Sequence, residues 1–175
     1  MNSQAKPSLK TNLEAVRFNK EVEIPKDKDY LTHLNDLVRA LNSSIHFYRA
    51  ANQDVPNVIL AGVFNEIAES HRMCVEALQP FITYTVGEPE EGNSFAVELR
   101  KVYASVLACI KSDTELTYLS NLEEVEDKLL ELCDRALEEN IPVTCRVIVN
   151  EVRASIQVSH DRMLGILRAR ERLAS

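Results

Sequence analysis

The sequence predicts an all-α fold: a four-helix bundle built from two antiparallel helix hairpins, joined by a helical crossover. Three observations predict it. Apolar residues recur at three- and four-residue intervals along most of the chain. Leu, Ala, Glu and Arg dominate a chain that holds only 4 Gly and 6 Pro, a composition that favours helices. The segments 34–78 and 119–163 also read as one hairpin written twice, 85 residues apart. Each has a helix, then a branched residue followed by proline (Val55-Pro56, Ile141-Pro142), then a second helix carrying Asn-Glu (Asn65-Glu66, Asn150-Glu151).

Residues 1–28 are polar and rich in lysine, with Pro7 and Pro25, and read as a flexible N-terminal arm. A weak apolar cluster (Leu13, Val16, Phe18, Val22, Ile24) leaves open that the arm lies over a neighbour. The bundle domain spans 29–175. Its first helix is expected over 29–52, capped by Asp29, with Leu34, Leu37, Val38, Leu41, Ile45 and Tyr48 on one face. The second opens near Pro56, a residue suited to a first helical turn. Its stripe is Leu60, Phe64, Ile67, His71, Cys74 and Leu78, and the stretch 87–92 is a loop.

The crossover helix is expected from Asn93 or Ser94 to near Lys111, carrying Phe95, Leu99, Val102, Val106 and Cys109. At 1.5 Å per residue its length of roughly 25 Å suits the return along a short bundle. Ser112, Asp113, Thr114 and Glu115 form a capping-box pattern that opens the third long helix. That helix runs to about Asn140 with Leu122, Val125, Glu126, Leu129, Cys133 and Ala136 on one face. The fourth opens near Pro142 and carries Cys145, Ile148, Val149, Val152, Ile156, Ser159, Met163 and Ile166. Its charged end, 168–172, suits a helix C-terminus. Shifting the second helix's stripe by 85 lands on the fourth helix's stripe throughout. Identity between the halves is low, so duplication and independent amphipathic hairpins both remain open.

The formal net charge of −7 sets the surface against phosphate backbones and anionic headgroups, so neither nucleic acid nor membrane is an expected partner. No apolar run reaches the roughly 20 residues that span a bilayer. The first residues lack the apolar block of a secretory signal, and a cytoplasmic location is expected. The four cysteines (Cys74, Cys109, Cys133, Cys145) show no C-x-x-C spacing and fall on apolar stripes, as buried reduced thiols do. No glycine-rich phosphate loop is present.

Polar residues on the stripes are the informative ones, because a buried charge needs a partner, a proton or a metal. Glu126 sits mid-stripe on the third helix and His71 mid-stripe on the second, while His160 lies at the edge of the fourth. Their structural explanations are a paired core carboxylate, a satisfied core histidine and a half-exposed histidine. His33 and His46 face outward. A two-metal carboxylate bundle needs Glu from two helices and Glu-x-x-His from the other two. The chain has no Glu-x-x-His, Ala68 and Gln157 stand three residues before His71 and His160, and Leu41 matches the place of Glu126. A reduced metal set of Glu126, His71 and His160 is the candidate site; one carboxylate and two imidazoles suit iron or another divalent ion.

Several stretches carry a likeness to a known family: Leu34-Asn-Asp-Leu37, Tyr48-Arg-Ala, Ala68-Glu69, Glu126-Asp127 and His160-Asp-Arg162. With the order of helices they resemble a bacterial family of uncharacterised ferritin-like bundle proteins, the DUF2383 type. The resemblance covers about 29–167 and implies a ferritin-like fold with inward acidic and histidine residues, Glu69 among the ligands, and no assigned activity. The chain departs from it in the first helix, where Ser43, Ser44, Ile45 and His46 stand instead of an acidic pattern, and at Arg72 and Gln157, where His and Glu would be wanted; the helical wheel sets Glu69 opposite the stripe. The expected function is a structural or interaction protein, a stress-related role among its forms, rather than an enzyme. The alternative is a metal-binding or redox protein using the reduced Glu/His set; a binder of a small apolar ligand is a third. A bundle with an apolar arm is compatible with a homodimer.

Overall fold

A computed structural model describes residues 29–82, 101, 104 and 115–174. Helix α1 spans Asp29–Asp54, α2 Val58–Leu78, α3 Glu115–Glu138 and α4 Val143–Ala174, with a short 3-10 turn, Gln79–Phe81, after α2. The described residues contain no strand, and the four helices form an all-α bundle. The expected arm, the loop at 87–92 and the capping box at 112–115 lie outside the described residues, apart from Glu115. So does the crossover helix, except for Lys101 and Ala104, which are helical and exposed.

Cross-helix contacts give the topology. Ser44 meets His71 and Asn52 meets Asn65, so α1 and α2 run antiparallel. Asp134 meets Arg153 and Asp127 meets His160, so α3 and α4 do the same. Between hairpins, His33 pairs with Glu139 while Tyr48 reaches Glu126, which makes α1 and α3 antiparallel neighbours. Glu66 with Arg162 and Ser70 with Ser155 make α2 and α4 antiparallel neighbours. Helices α2 and α3 therefore run in the same direction, and the end of α2 and the start of α3 lie at opposite ends of the bundle.

The hairpins share one register. Shifted back by 85, the Asp134–Arg153 contact becomes a pairing of positions 49 and 68, in step with Ser44–His71 and Asn52–Asn65. Helices α2 and α4 begin 85 residues apart. Ser70 and Ser155 are also 85 apart, and their hydroxyls lie 2.8 Å from each other. Equivalent residues can touch only on the axis that relates them. A pseudo-twofold axis thus passes between these serines, across the bundle.

Local chemistry sets the helix ends. The expected start at Pro56 moves to Val58, because Asn57 is the cap: its side-chain oxygen accepts from the amides of Ile59 at 3.0 Å and Leu60 at 3.3 Å. Those two amides would otherwise lack partners. In the other hairpin the carbonyl of Pro142 accepts from Arg146 N at 2.8 Å. The Arg146 guanidinium turns back to the carbonyls of Leu137 at 2.7 Å and Glu139 at 2.9 Å. A cation there satisfies orphan carbonyls and favours the negative end of α3.

The core follows the predicted stripes. Leu34, Leu37, Leu41, Phe64, Leu78, Leu122, Leu129, Ile156 and Met163 are fully buried. At roughly 1.5–3 kcal/mol for each large apolar side chain removed from water, this interior is the main driving force for the fold. Cys74, Cys133 and Cys145 are buried and free of disulfides. Glu69 is exposed, gripped by both arms of the Arg72 guanidinium at 2.6 and 2.9 Å, in keeping with its place opposite the stripe. No helix among the described residues is long and apolar enough to cross a membrane.

Candidate functional site

Among the described residues, four polar side chains are buried: Ser44, His71, Glu126 and Ser159. Three of them meet in the middle of the bundle, with the hydroxyl of Tyr48. Ser44 and Tyr48 stand one turn apart on α1, which aims both at the same level of the interior. His71 comes from α2 and Glu126 from α3. Tyr48 Oη donates to Glu126 Oε1 at 2.7 Å. Ser44 Oγ lies 2.8 Å from His71 Nδ1. Either the hydroxyl donates to a bare Nδ1 or a protonated Nδ1 donates to the hydroxyl.

The other edge of the imidazole closes the chain of contacts. His71 Nε2 and Glu126 Oε2 are 3.2 Å apart, and both side chains are 0% exposed. They are close enough to attract, yet their geometry is not that of a hydrogen bond, and neither atom has another such partner. Rings hold the arrangement: Tyr48 packs on Phe64 with centroids 5.6 Å apart and meets the edge of His71 at 5.8 Å. A carboxylate taken out of water needs a partner, and the Tyr48 hydroxyl supplies one at Oε1.

Cys74 lies one turn beyond His71 on α2. Burial pushes its pKa up to about 12, against a hydrogen bond to Ser155 that lowers it, and the Glu126 charge raises it further. Burial also raises Cys133, with Cys74 adding to the shift, and takes Cys145 to about 12. These are thiols, not thiolates, at neutral pH, so they are poor nucleophiles and poor metal ligands as they stand.

His160 stands apart from the core pair. Its Nε2 lies 3.1 Å from Asp127 Oδ1 and 3.4 Å from Glu123 Oε1, and its Nδ1 is 3.2 Å from Asp161 Oδ1. Glu123 and Asp127 are one turn apart on α3 and face α4 across the outer seam of the second hairpin. His160 and Glu123 are half-buried, and Asp127 is exposed. Burial pulls the His160 pKa down, but the Asp161 contact and the charges of Asp127 and Glu123 outweigh it and leave the value raised. Glu123, Asp127 and His160 form the one group of three metal-type donors within 4.8 Å among the described residues.

The three residues expected as one metal set are thus in two places, Glu126 with His71 in the core and His160 on the outer seam. The core offers one carboxylate and one imidazole, flanked by two hydroxyls from α1. A two-metal carboxylate centre needs four carboxylates and two histidines, and this donor set does not fit one. The shallow groove lined by Asn65, Glu66, Glu69, Ser70 and Met73 belongs to α2's own surface and includes none of the core polar residues.

Sequence reasoning missed three parts of this picture. Ser44 enters the sequence reading only as a departure from an acidic pattern, and Tyr48 only as a stripe residue within the family likeness, neither as a partner of the core polar groups. The available signal was a serine and a tyrosine four residues apart, at the level where His71 and Glu126 interrupt their stripes. Glu123 and Asp127 were missed because acids at that spacing are common on solvated faces. Only the register of α3 against α4 puts His160 between them.

No curated protein matches the chain, and no solved structure matches it. A family model does, over residues 29–139, which takes in α1, α2 and α3 with Ser44, Tyr48, His71, Glu123, Glu126 and Asp127, and stops short of α4. The chain belongs to that family, described as a domain of unknown function (DUF2383).

Proposed function

We propose that the chain is a structural or interaction module of the ferritin-like kind, whose interior is closed by a polar cluster instead of a catalytic metal pair. One observation carries the reading. The buried polar groups engage one another, Tyr48 with Glu126, Ser44 with His71 and His71 with Glu126, and the described groove does not include them. A catalytic centre needs donors directed at a substrate or ion, whereas here they are directed at each other. A stress-related setting, a cytoplasmic location and self-association belong to the same reading.

A second reading is favoured by one distance. Two ligands about 2.1 Å from a common ion lie about 3.1–3.4 Å from each other at ordinary coordination angles. His71 Nε2 and Glu126 Oε2, 3.2 Å apart and not hydrogen-bonded, fall in that range. Together they would supply two ligands for a single divalent ion.

Metal analysis separates the two readings. The full chain, Glu126→Gln and His71→Gln are purified side by side without chelators, and circular dichroism checks that each is folded. Under the first reading the metal content is the same in all three. A stoichiometric metal in the parent chain that disappears in either folded variant overturns it in favour of the second.

A further inference from the structure

We infer that Glu123, Asp127 and His160 form a mononuclear site for a divalent transition-metal ion on the outer seam between α3 and α4. The ligand geometry fits. Nε2 of His160 lies 3.1 and 3.4 Å from the two carboxylates. Two ligands about 2.1 Å from one ion, separated by about 95–110°, stand about 3.1–3.4 Å apart. All three donor atoms fall within 4.8 Å of one another, so small side-chain rotations bring them onto one centre. Both carboxylates rise from one face of α3 and the imidazole from the helix packed against it, which makes the frame rigid.

The imidazole is also oriented as a ligand. Its Nδ1 lies 3.2 Å from Asp161 Oδ1 and 3.3 Å from Gln157 Nε2, and that amide donates to the same carboxylate oxygen at 2.9 Å. A carboxylate behind the ring can accept from Nδ1–H, the tautomer in which Nε2 is free to bind an ion. Local charge points the same way. Three carboxylates surround one imidazole, so even an imidazolium leaves two negative charges uncompensated. Of the nearby cations, Arg162 pairs with Glu66 and Lys128 with Glu131. A dication removes that excess. One imidazole with two carboxylates suits a borderline ion such as zinc, manganese or ferrous iron over calcium or magnesium. Asp127 is exposed, so water can fill the remaining positions.

The test uses the full chain without a histidine tag. Zinc chloride is titrated by calorimetry, and cobalt(II) is added in parallel so that its visible absorption reports the ligand field. The site predicts one ion per chain. His160→Ala and Asp127→Asn each weaken zinc binding at least tenfold and remove the cobalt bands, with the helical signal unchanged. Asp161→Asn, which touches only the back of the ring, weakens it about tenfold, the scale found for such supporting groups. His46→Ala, on the exposed side of α1, leaves binding as it was. Absence of saturable binding overturns the assignment, as does binding that survives His160→Ala. Zinc lost in His71→Gln but kept in His160→Ala also overturns it, and returns the ion to the core pair.

Discussion

Replacing Glu126 by leucine tests whether the core cluster is held together by mutual need. The variant removes the carboxylate oxygen that accepts from the Tyr48 hydroxyl and the carboxylate that faces His71 Nε2, both on fully buried side chains. Losing the partner of a buried hydrogen bond costs about 1–3 kcal/mol. Against a usual total stability of about 5–15 kcal/mol, that is a large fraction of the fold. The quadruple variant Ser44→Ala, Tyr48→Phe, His71→Ile and Glu126→Leu removes every stranded group, the Ser44 hydroxyl that bonds His71 included. It should recover to within about 1 kcal/mol of the parent or exceed it, because apolar replacement of a buried pair is often neutral or stabilising. The bundle already packs hydrocarbon at the matching places: Leu41 and Ile156, the partners of Glu126 and His71 in the repeat, are fully buried. Urea unfolding followed by circular dichroism, with slopes compared, gives the numbers. A quadruple variant as unstable as Glu126→Leu would refute the reasoning, since the cluster would then stabilise beyond satisfying its own members. A loss below about 1 kcal/mol in the single variant would refute it differently, by showing that water reaches the site.

Three further outcomes follow from local chemistry. Asn57→Ala removes the side-chain oxygen that accepts from Ile59 and Leu60, and should cost about 1 kcal/mol in the same urea assay, whereas no change would dismiss the cap. At pH 8 a colorimetric thiol reagent should leave Cys74, Cys133 and Cys145 unreacted in the native chain, because burial raises all three, and should titrate all four cysteines in denaturant. Prompt reaction of more than one native thiol would contradict this. With EDTA present, the raised His160 pKa contributes stability that is complete below the free-histidine value of about 6.5 and is lost as pH rises through the folded value. The parent should therefore lose slightly more stability than His160→Gln between pH 6 and 8, by less than about 1 kcal/mol as for other solvent-screened pairs. Parallel pH profiles would rule that out.

The helices were legible because burial imposes a period on the sequence. Glu126 and His71 stood out as interruptions of an apolar stripe, and both are fully buried. The end of α1 falls two residues beyond the expected Asn52 and the start of α2 two beyond Pro56. Proline announces a break, but the cap that starts α2 is a bond made by Asn57, which periodicity does not register. What joins Tyr48 to Glu126 is a contact across 78 positions between two helices, and its length depends on how far each helix slides along the other. The same holds for His160, which the wheel placed at the edge of its stripe. Its neighbours Asp127 and Glu123 were set by the pairing of α3 with α4, a relation that no stripe on one helix encodes.

The axis between Ser70 and Ser155 gives every buried position a twin at comparable depth in the other hairpin. Glu126 answers to Leu41, His71 to Ile156, Ser44 to Leu129 and Tyr48 to Cys133, all of them sealed from solvent. The molecule therefore carries its own control experiment. A substitution made at a polar member and at its silent counterpart meets similar backbone and similar crowding, and the difference between the two effects isolates the chemistry of the side chain from the geometry of the place it occupies.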